Sequence, residues 1–142
     1  MIGIMQGRIF PDNRKILQKF PKRSWKKEFY YAKKIGFRYI ELLADKDLSI
    51  ENPLINGQVY QIKNLKKKYG IKTPNTCLDV LTKFPAEKWK FNYDKIEKNI
   101  EIIIKNSKKI GVKNFIFPIF FKNLKIINKL LLADIFKFLN SI

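Results

Sequence analysis

Lys33-Lys34-Ile35-Gly36-Phe37-Arg38, followed directly by Tyr39-Ile40-Glu41-Leu42-Leu43-Ala44, is the stretch whose reading decides the fold. A lysine pair, a glycine and then an apolar run describe a helix end feeding a strand. Glycine takes the left-handed position past the last turn, and the lysines complement the negative end of the helix dipole. The same order recurs at Lys67-Lys68-Tyr69-Gly70-Ile71-Lys72 before TPNTCL, and at Lys108-Lys109-Ile110-Gly111-Val112-Lys113 before NFIFPI. Each interval from Gly36 to Gly70 to Gly111 is the length of one helix and one strand, the longer one taken up by a loop.

Upstream of each glycine lies helical periodicity. Trp25, Phe29 and Ala32 follow Ser24 as N-cap; Val59, Ile62, Leu65 and Tyr69 follow Asn56; Ile96, Ile100, Ile103, Ile104 and Ser107 follow Asn92. Each presents one apolar stripe with lysines on the other faces, as in helices that flank a sheet. A fourth helix is expected over residues 123–139, with Leu124, Ile127, Leu131 and Ile135 on one side. The strands, residues 2–6, 38–44, 72–79 and 113–119, are near-continuous apolar runs, which suits a parallel sheet buried on both faces.

The order βαβαβαβα belongs to an α/β protein, either an open doubly wound sheet or a (β/α)8 barrel. The first strand exits through GIMQGR, without the glycine pattern of a dinucleotide loop and without a helix starting at once. A barrel takes about 250 residues. Four units in 142 residues are about half of one. The expected fold is therefore a parallel (βα)4 array, the N-terminal half of a (β/α)8 TIM barrel, in a single domain spanning residues 1–142.

Composition narrows the chemistry. There is no histidine, so no imidazole can serve as base, acid or metal ligand, and the single Cys77 excludes an internal disulfide. Gln6, Gly7 and Arg8 interrupt the opening too soon for a secretory signal, and Lys122, Lys125 and Lys129 break the apolar stretch 115–139, so no membrane span is expected. The chain reads as cytoplasmic. A net charge of +18 invites a nucleic-acid reading. Arginine, however, occurs only at Arg8, Arg14, Arg23 and Arg38, whereas surfaces that read base sequence favour its planar fork. Lysines at helix C-termini also lie opposite the strand C-terminal ends, away from the usual ligand site.

That rule for ligand sites selects few side chains. They are Gln6 and Arg8 after the first strand, Glu41 and Asp45 in and after the second, Cys77 and Asp79 at the end of the third, and Pro118 with Lys122 after the fourth. Glu41 lies inside an apolar run, where a carboxylate needs a cation, a metal, a substrate hydroxyl, or an ion pair with Arg8 or Arg38. Asp79 either orients a substrate hydroxyl or caps the loop before Lys83. Cys77 reads as a small buried hydrophobe, since no histidine can activate it. Trp25 and Trp89 fit packing better than a stacking platform. Asp45, Asp47 and Glu51 form an acidic loop whose spacing matches no EF-hand.

MIGIMQGR at the start, SWKKEFYYAKKIGFRYIEL, the loop ENPL and the strand ending NTCLD resemble the sugar phosphate isomerase/epimerase family, the xylose isomerase-like TIM barrels. The resemblance runs from residue 1 to about residue 119 and covers the front half of that barrel. It implies proton transfer on a sugar or sugar phosphate, assisted by a divalent metal that carboxylates and a histidine late in the barrel would bind. It also implies substrate-facing roles for Arg8, Glu41 and Asp79, to which the strand-exit rule adds Gln6 as a substrate-binding residue; the chemistry of proton abstraction makes Glu41 the candidate base and Arg8 a donor. No metal ligand of the family can be placed on this sequence, so a truncated or split protein without the metal site and its activity is expected. A half barrel should leave Ile4, Ile40, Leu42 and Ile116 on an open inner face, to be closed by a second copy or by a separately encoded second half. The reading from another class is a basic nucleic-acid-binding module or an endonuclease IV-like relative.

Overall fold

The repeated glycines close their helices as the pattern requires. In the computed structural model, which describes residues 2–11, 18–83, 88, 93–119, 133, 137 and 140, Gly36 has φ of 99° and donates its N–H to the carbonyls of Ala32 and Lys33. This ends α1 (Trp25–Ile35) and turns the chain into β2 (Tyr39–Leu43). Gly70 ends α3 (Tyr60–Tyr69) in the same left-handed conformation. The other elements are β1 (Gly3–Met5), a short α2 (Pro53–Asn56), β3 (Asn75–Cys77), a 3-10 turn over Asp79–Lys83, α4 (Tyr93–Lys109) and β4 (Asn114–Ile116).

The four strands form one sheet in the order β1-β2-β3-β4, and every neighbouring pair is parallel. Strand order thus follows chain order, as consecutive crossovers through helices dictate. The expected helix over residues 123–139, its neighbour Lys122, the cap Asn92 and Trp89 lie outside the described residues.

Register decides which side chains meet the helices. Ile4 pairs with Ile40, Leu42 with Thr76, and Thr76 with Phe115, so these residues share one face. That face carries the core: Ile40, Leu42 and Ala44 pack with Phe29 and Ala32 of α1, Ile62 of α3, and Ile96, Ile100 and Ile103 of α4. Thr76 Oγ1 and Ser107 Oγ of α4 lie 3.2 Å apart within it, each answering the other's polar group. Each fully buried Phe or Ile here contributes about 1.5–3 kcal/mol.

The opposite parity holds Met5, Glu41 and Leu43, then Asn75, Cys77, Asn114 and Ile116. The open inner face is therefore not lined as the sequence reading has it. Ile40 and Leu42 are buried against the helices and Ile4 packs on the same core, leaving Ile116 alone of the four on the other side. The error is one of parity: in a near-continuous apolar run, alternation does not mark which residues face which layer.

Two helix starts also differ. Asn56 ends α2 rather than beginning α3, because Asn52 and Pro53 form the stronger start: Asn52 Oδ1 accepts from Leu54 N–H, and proline fills the first helical position. Ser24 precedes α1, yet its hydroxyl donates to the Phe10 carbonyl instead of capping the helix.

What fastens α1 to the sheet is a carboxylate. Glu28, 1% exposed, accepts from Gly7 N–H at 3.0 and 2.9 Å and from the N–H groups of Ile9 and Phe10 at 3.3 and 3.2 Å. Replacing it leaves these donors without their acceptor. Glu28→Ala should destabilise the protein by about 3 kcal/mol and Glu28→Gln by about 1–2 kcal/mol in urea unfolding. Equal stability of Glu28→Ala and the wild type would show that the loop finds other partners.

Candidate functional site

The C-terminal ends of the strands, where a ligand is expected, are closed by side-chain hydrogen bonds. Gln6 is buried, and its Oε1 accepts from Leu43 N–H at 3.2 Å while its own N–H donates to the Glu41 carbonyl. Asn52 Nδ2 donates to the Leu43 carbonyl at 2.8 Å. The first strand's glutamine is thus a strand-to-strand clamp, its Oε1 engaged by a backbone donor of the second strand. Arg8, one turn on, is exposed.

Two carboxylates are shut inside the same end. Asp45, 1% exposed, accepts from Phe20 N–H through Oδ2 at 2.9 Å, and among the described residues its Oδ1 makes no well-formed hydrogen bond, the Ser49 backbone N–H being the donor that also acts on the carboxylate. Asp79, 3% exposed, opens the 3-10 turn and takes a bond from Thr82 Oγ1 at 3.3 Å, the loop-capping use of an aspartate at a strand exit. Burial raises both carboxyls above the ordinary value of 3.8, and the two reinforce this unevenly: Asp47 adds to the effect on Asp45, while Asp45 adds to that on Asp79. Asp45 is therefore near enough to Asp79 for its charge to be felt there.

Cys77 fits the reading of an inert thiol. It is buried, and burial first, then the charges of Asp79 and Glu41, push it up to about 12. These influences also place Glu41, Cys77 and Asp79 as neighbours along β2 and β3.

Glu41 lies two residues short of the end of β2 and is only half-buried. Among the described residues neither Arg8 nor Arg38 pairs with it; ion pairs join Lys19 to Asp47 at 3.5 Å and Lys22 to Glu51 at 3.8 Å. Its neighbour is Asn75, whose Nδ2 donates to Glu41 Oε2 at 3.5 Å. Asn114 Nδ2 in turn donates to Asn75 Oδ1 at 3.1 Å. A polar row, Glu41, Asn75 and Asn114, crosses three strands on the face turned away from the helices. The sequence reading missed both asparagines, because they sit at the strand starts rather than at the exits. Their signal was their type: Asn is depleted in strands, so one in each of the two strand segments that follow Gly70 and Gly111 asks for a reason.

The candidates thus divide. Gln6, Asp45 and Asp79 hold the fold at the strand exits, Arg8 is exposed with no ion-pair partner among the described residues, and Glu41 is half-buried in the middle of β2. Pro118 is half-buried past β4. The divalent metal that the resemblance implies finds no donor set among the described residues. There is no histidine, no group of three His, Cys, Asp or Glu stands together among those residues, and the two buried aspartates at the strand exits, Asp45 and Asp79, are ones that burial biases toward the protonated form.

Compared with protein families, with curated proteins and with solved structures, the chain finds no match. No helix among the described residues is long and apolar enough to cross a membrane.

The buried aspartates make stability depend on pH in a stated direction. A carboxyl raised in the folded state binds its proton more tightly folded than unfolded, so its contribution falls as pH rises from 3.8 through the raised native value. Asp45→Asn keeps an acceptor for Phe20 N–H and removes the ionisation. Its stability relative to wild type should therefore increase across that window and level off above it. Urea unfolding at several pH values measures this, and a difference independent of pH would refute the assignment.

Proposed function

We propose that this chain is the N-terminal half of a (β/α)8 barrel of the xylose isomerase-like kind and that the sheet face bearing Glu41, Asn75 and Asn114, which carries no helix among the described residues, binds a sugar or sugar phosphate. The architecture supports the barrel reading over the doubly wound one: α1, α3 and α4 share one core with a single face of an all-parallel sheet, whereas a doubly wound sheet carries helices on both.

The observation that carries the ligand reading is the Glu41, Asn75 and Asn114 row. A sugar hydroxyl donates one hydrogen bond and accepts others. Glu41 offers an acceptor-only carboxylate, and each asparagine offers a donor beside an acceptor, so adjacent hydroxyls can be met in alternation. No cation pairs with Glu41 among the described residues, which keeps it strong as an acceptor of a hydroxyl proton and available as a base. Arg8, exposed past the exit of β1, is a cation suited to a phosphate group.

Proton abstraction next to a carbonyl also needs stabilisation of the enediolate oxygen. The described residues supply a base and amide donors but no metal cage. We accordingly read this polypeptide as a binding half whose turnover depends on groups it does not itself gather.

Amide and side-chain NMR shifts on titration with aldoses, ketoses and their phosphates test the binding. The Asn75 and Asn114 side-chain amides should move together, and Glu41→Gln should weaken binding about tenfold, the loss of one charge-assisted hydrogen bond. A ligand that shifts neither asparagine refutes the site. Assayed with magnesium, manganese, cobalt or zinc added, the purified chain should interconvert these sugars no faster than buffer. Turnover abolished by Glu41→Gln would show that this half is catalytically sufficient.

A further inference from the structure

We propose that the outer surface of α1 and α3 binds single-stranded nucleic acid without sequence preference, through Tyr30 and the lysines around it. Tyr30 is 46% exposed in the middle of α1, whose sequence is WKKEFYYAKKI. The residues four before, three before, three after and four after it are its neighbours on the helix surface. All four are lysines: Lys26, Lys27, Lys33 and Lys34, each exposed. Across from them α3, YQIKNLKKKY, carries four more lysines and no acid. The sole carboxylate of α1, Glu28, is buried against the loop after β1.

The charge is not explained by helix stability. Lys33 and Lys34 suit the C-terminal turn of α1, but Lys26 and Lys27 lie in its first turn, where the dipole disfavours cations. Four like charges around one exposed ring repel one another as well. Such an arrangement is favourable when a polyanion lies across it and releases its counterions.

The ring itself is positioned. Tyr30 makes edge contacts with Tyr31 at 5.0 Å and with Tyr69 of α3 at 5.9 Å, and Lys68 Nζ stands 5.3 Å from the Tyr69 ring centre. Phe10 extends the series, 4.7 Å from Tyr31. An exposed aromatic held on edge among lysines offers a stacking face to an unpaired base and cations to the phosphates on either side. Arginine is absent from both helices, so the surface has no fork for base edges, and the binding it predicts is indifferent to sequence. A membrane is the poorer occupant: the apolar stripe of α1, Trp25, Phe29 and Ala32, is committed to the core and cannot enter a bilayer.

Fluorescence anisotropy of labelled oligothymidylate and oligouridylate, about twelve nucleotides long, tests this between about 50 and 200 mM salt with the full chain. Both should bind with similar affinity. Tyr30→Ala should weaken binding about tenfold at unchanged salt slope, and Tyr30→Phe should retain it. The Lys26→Gln/Lys34→Gln pair should lower the slope of log affinity against log salt by about 1.4, two single-strand phosphate contacts. Lys98→Gln/Lys105→Gln on the exposed side of α4 is the control and should change little. Circular dichroism of each variant confirms folding. Unchanged binding by Tyr30→Ala, an equal loss in the α4 control, equal affinity for duplex DNA, or tighter binding to phosphatidylserine vesicles that also depends on Tyr30 would each overturn the proposal.

Discussion

The Glu28 carboxylate is the interaction on which the rest of the structure depends. It gathers the N–H groups of Gly7, Ile9 and Phe10, and so fixes the first loop onto the first helix. Gly7 makes this possible: with φ of 88°, its α-carbon lies so close to the Lys19 carbonyl that a Cβ would come within 2.6 Å of that oxygen. From there the chain brings Phe20 into the core and presents its N–H to Asp45, at the exit of β2. One acid on a helix thereby sets where β1 ends, where α1 begins and what closes the second strand. The loop's backbone donors would otherwise be left without partners next to an apolar core, a cost far above that of burying a bonded carboxylate.

This arrangement uses up polar capacity at the strand exits. Parallel α/β proteins ordinarily offer the strand exits, yet here Gln6, Asn52 and Asp45 use that rim to satisfy backbone groups of Leu43 and Phe20. The exits become a plug. Polar capacity that is not consumed appears one step lower, on the face away from the helices, where Glu41 retains free lone pairs and the two asparagines are bonded in series. Rigidity at the rim and adaptability beneath it are consequences of the same hydrogen-bond accounting.

The architecture was legible in the sequence because it is written in local chemistry. Each repeat glycine ends a helix through a single backbone conformation, and each lysine pair marks the last turn; neither depends on distant residues. All four strands and their order follow from that repetition. Face assignments were not legible: Ile4, Ile40 and Leu42 are apolar like their neighbours, and only pairing register separates the helix side from the other. The site was legible in half measure. Glu41 stood out as a carboxylate in an apolar run, but Gln6 and Asp79, chosen by the same logic of strand exits, proved to be bonded to Leu43 and Thr82. Glu28 gave no sign, since an acid in a lysine-rich amphipathic helix reads as an exposed counter-charge until its rotation about the axis is known.

A sheet whose spatial order copies its chain order has a kinetic meaning. Every strand meets only the strands before and after it in sequence, so each loop that must close spans a single crossover, and the entropy of closure stays small and similar from step to step. No distant pairing has to wait for the whole chain to collapse. Assembly can start at any βαβ segment and spread outward, with β2 and β3, flanked on both edges, as the natural nucleus and β1 and β4 joining last. By the same token the outer strands are the first to open in native-state fluctuations, and amide exchange should rank the strands from the centre of the sheet to its edges.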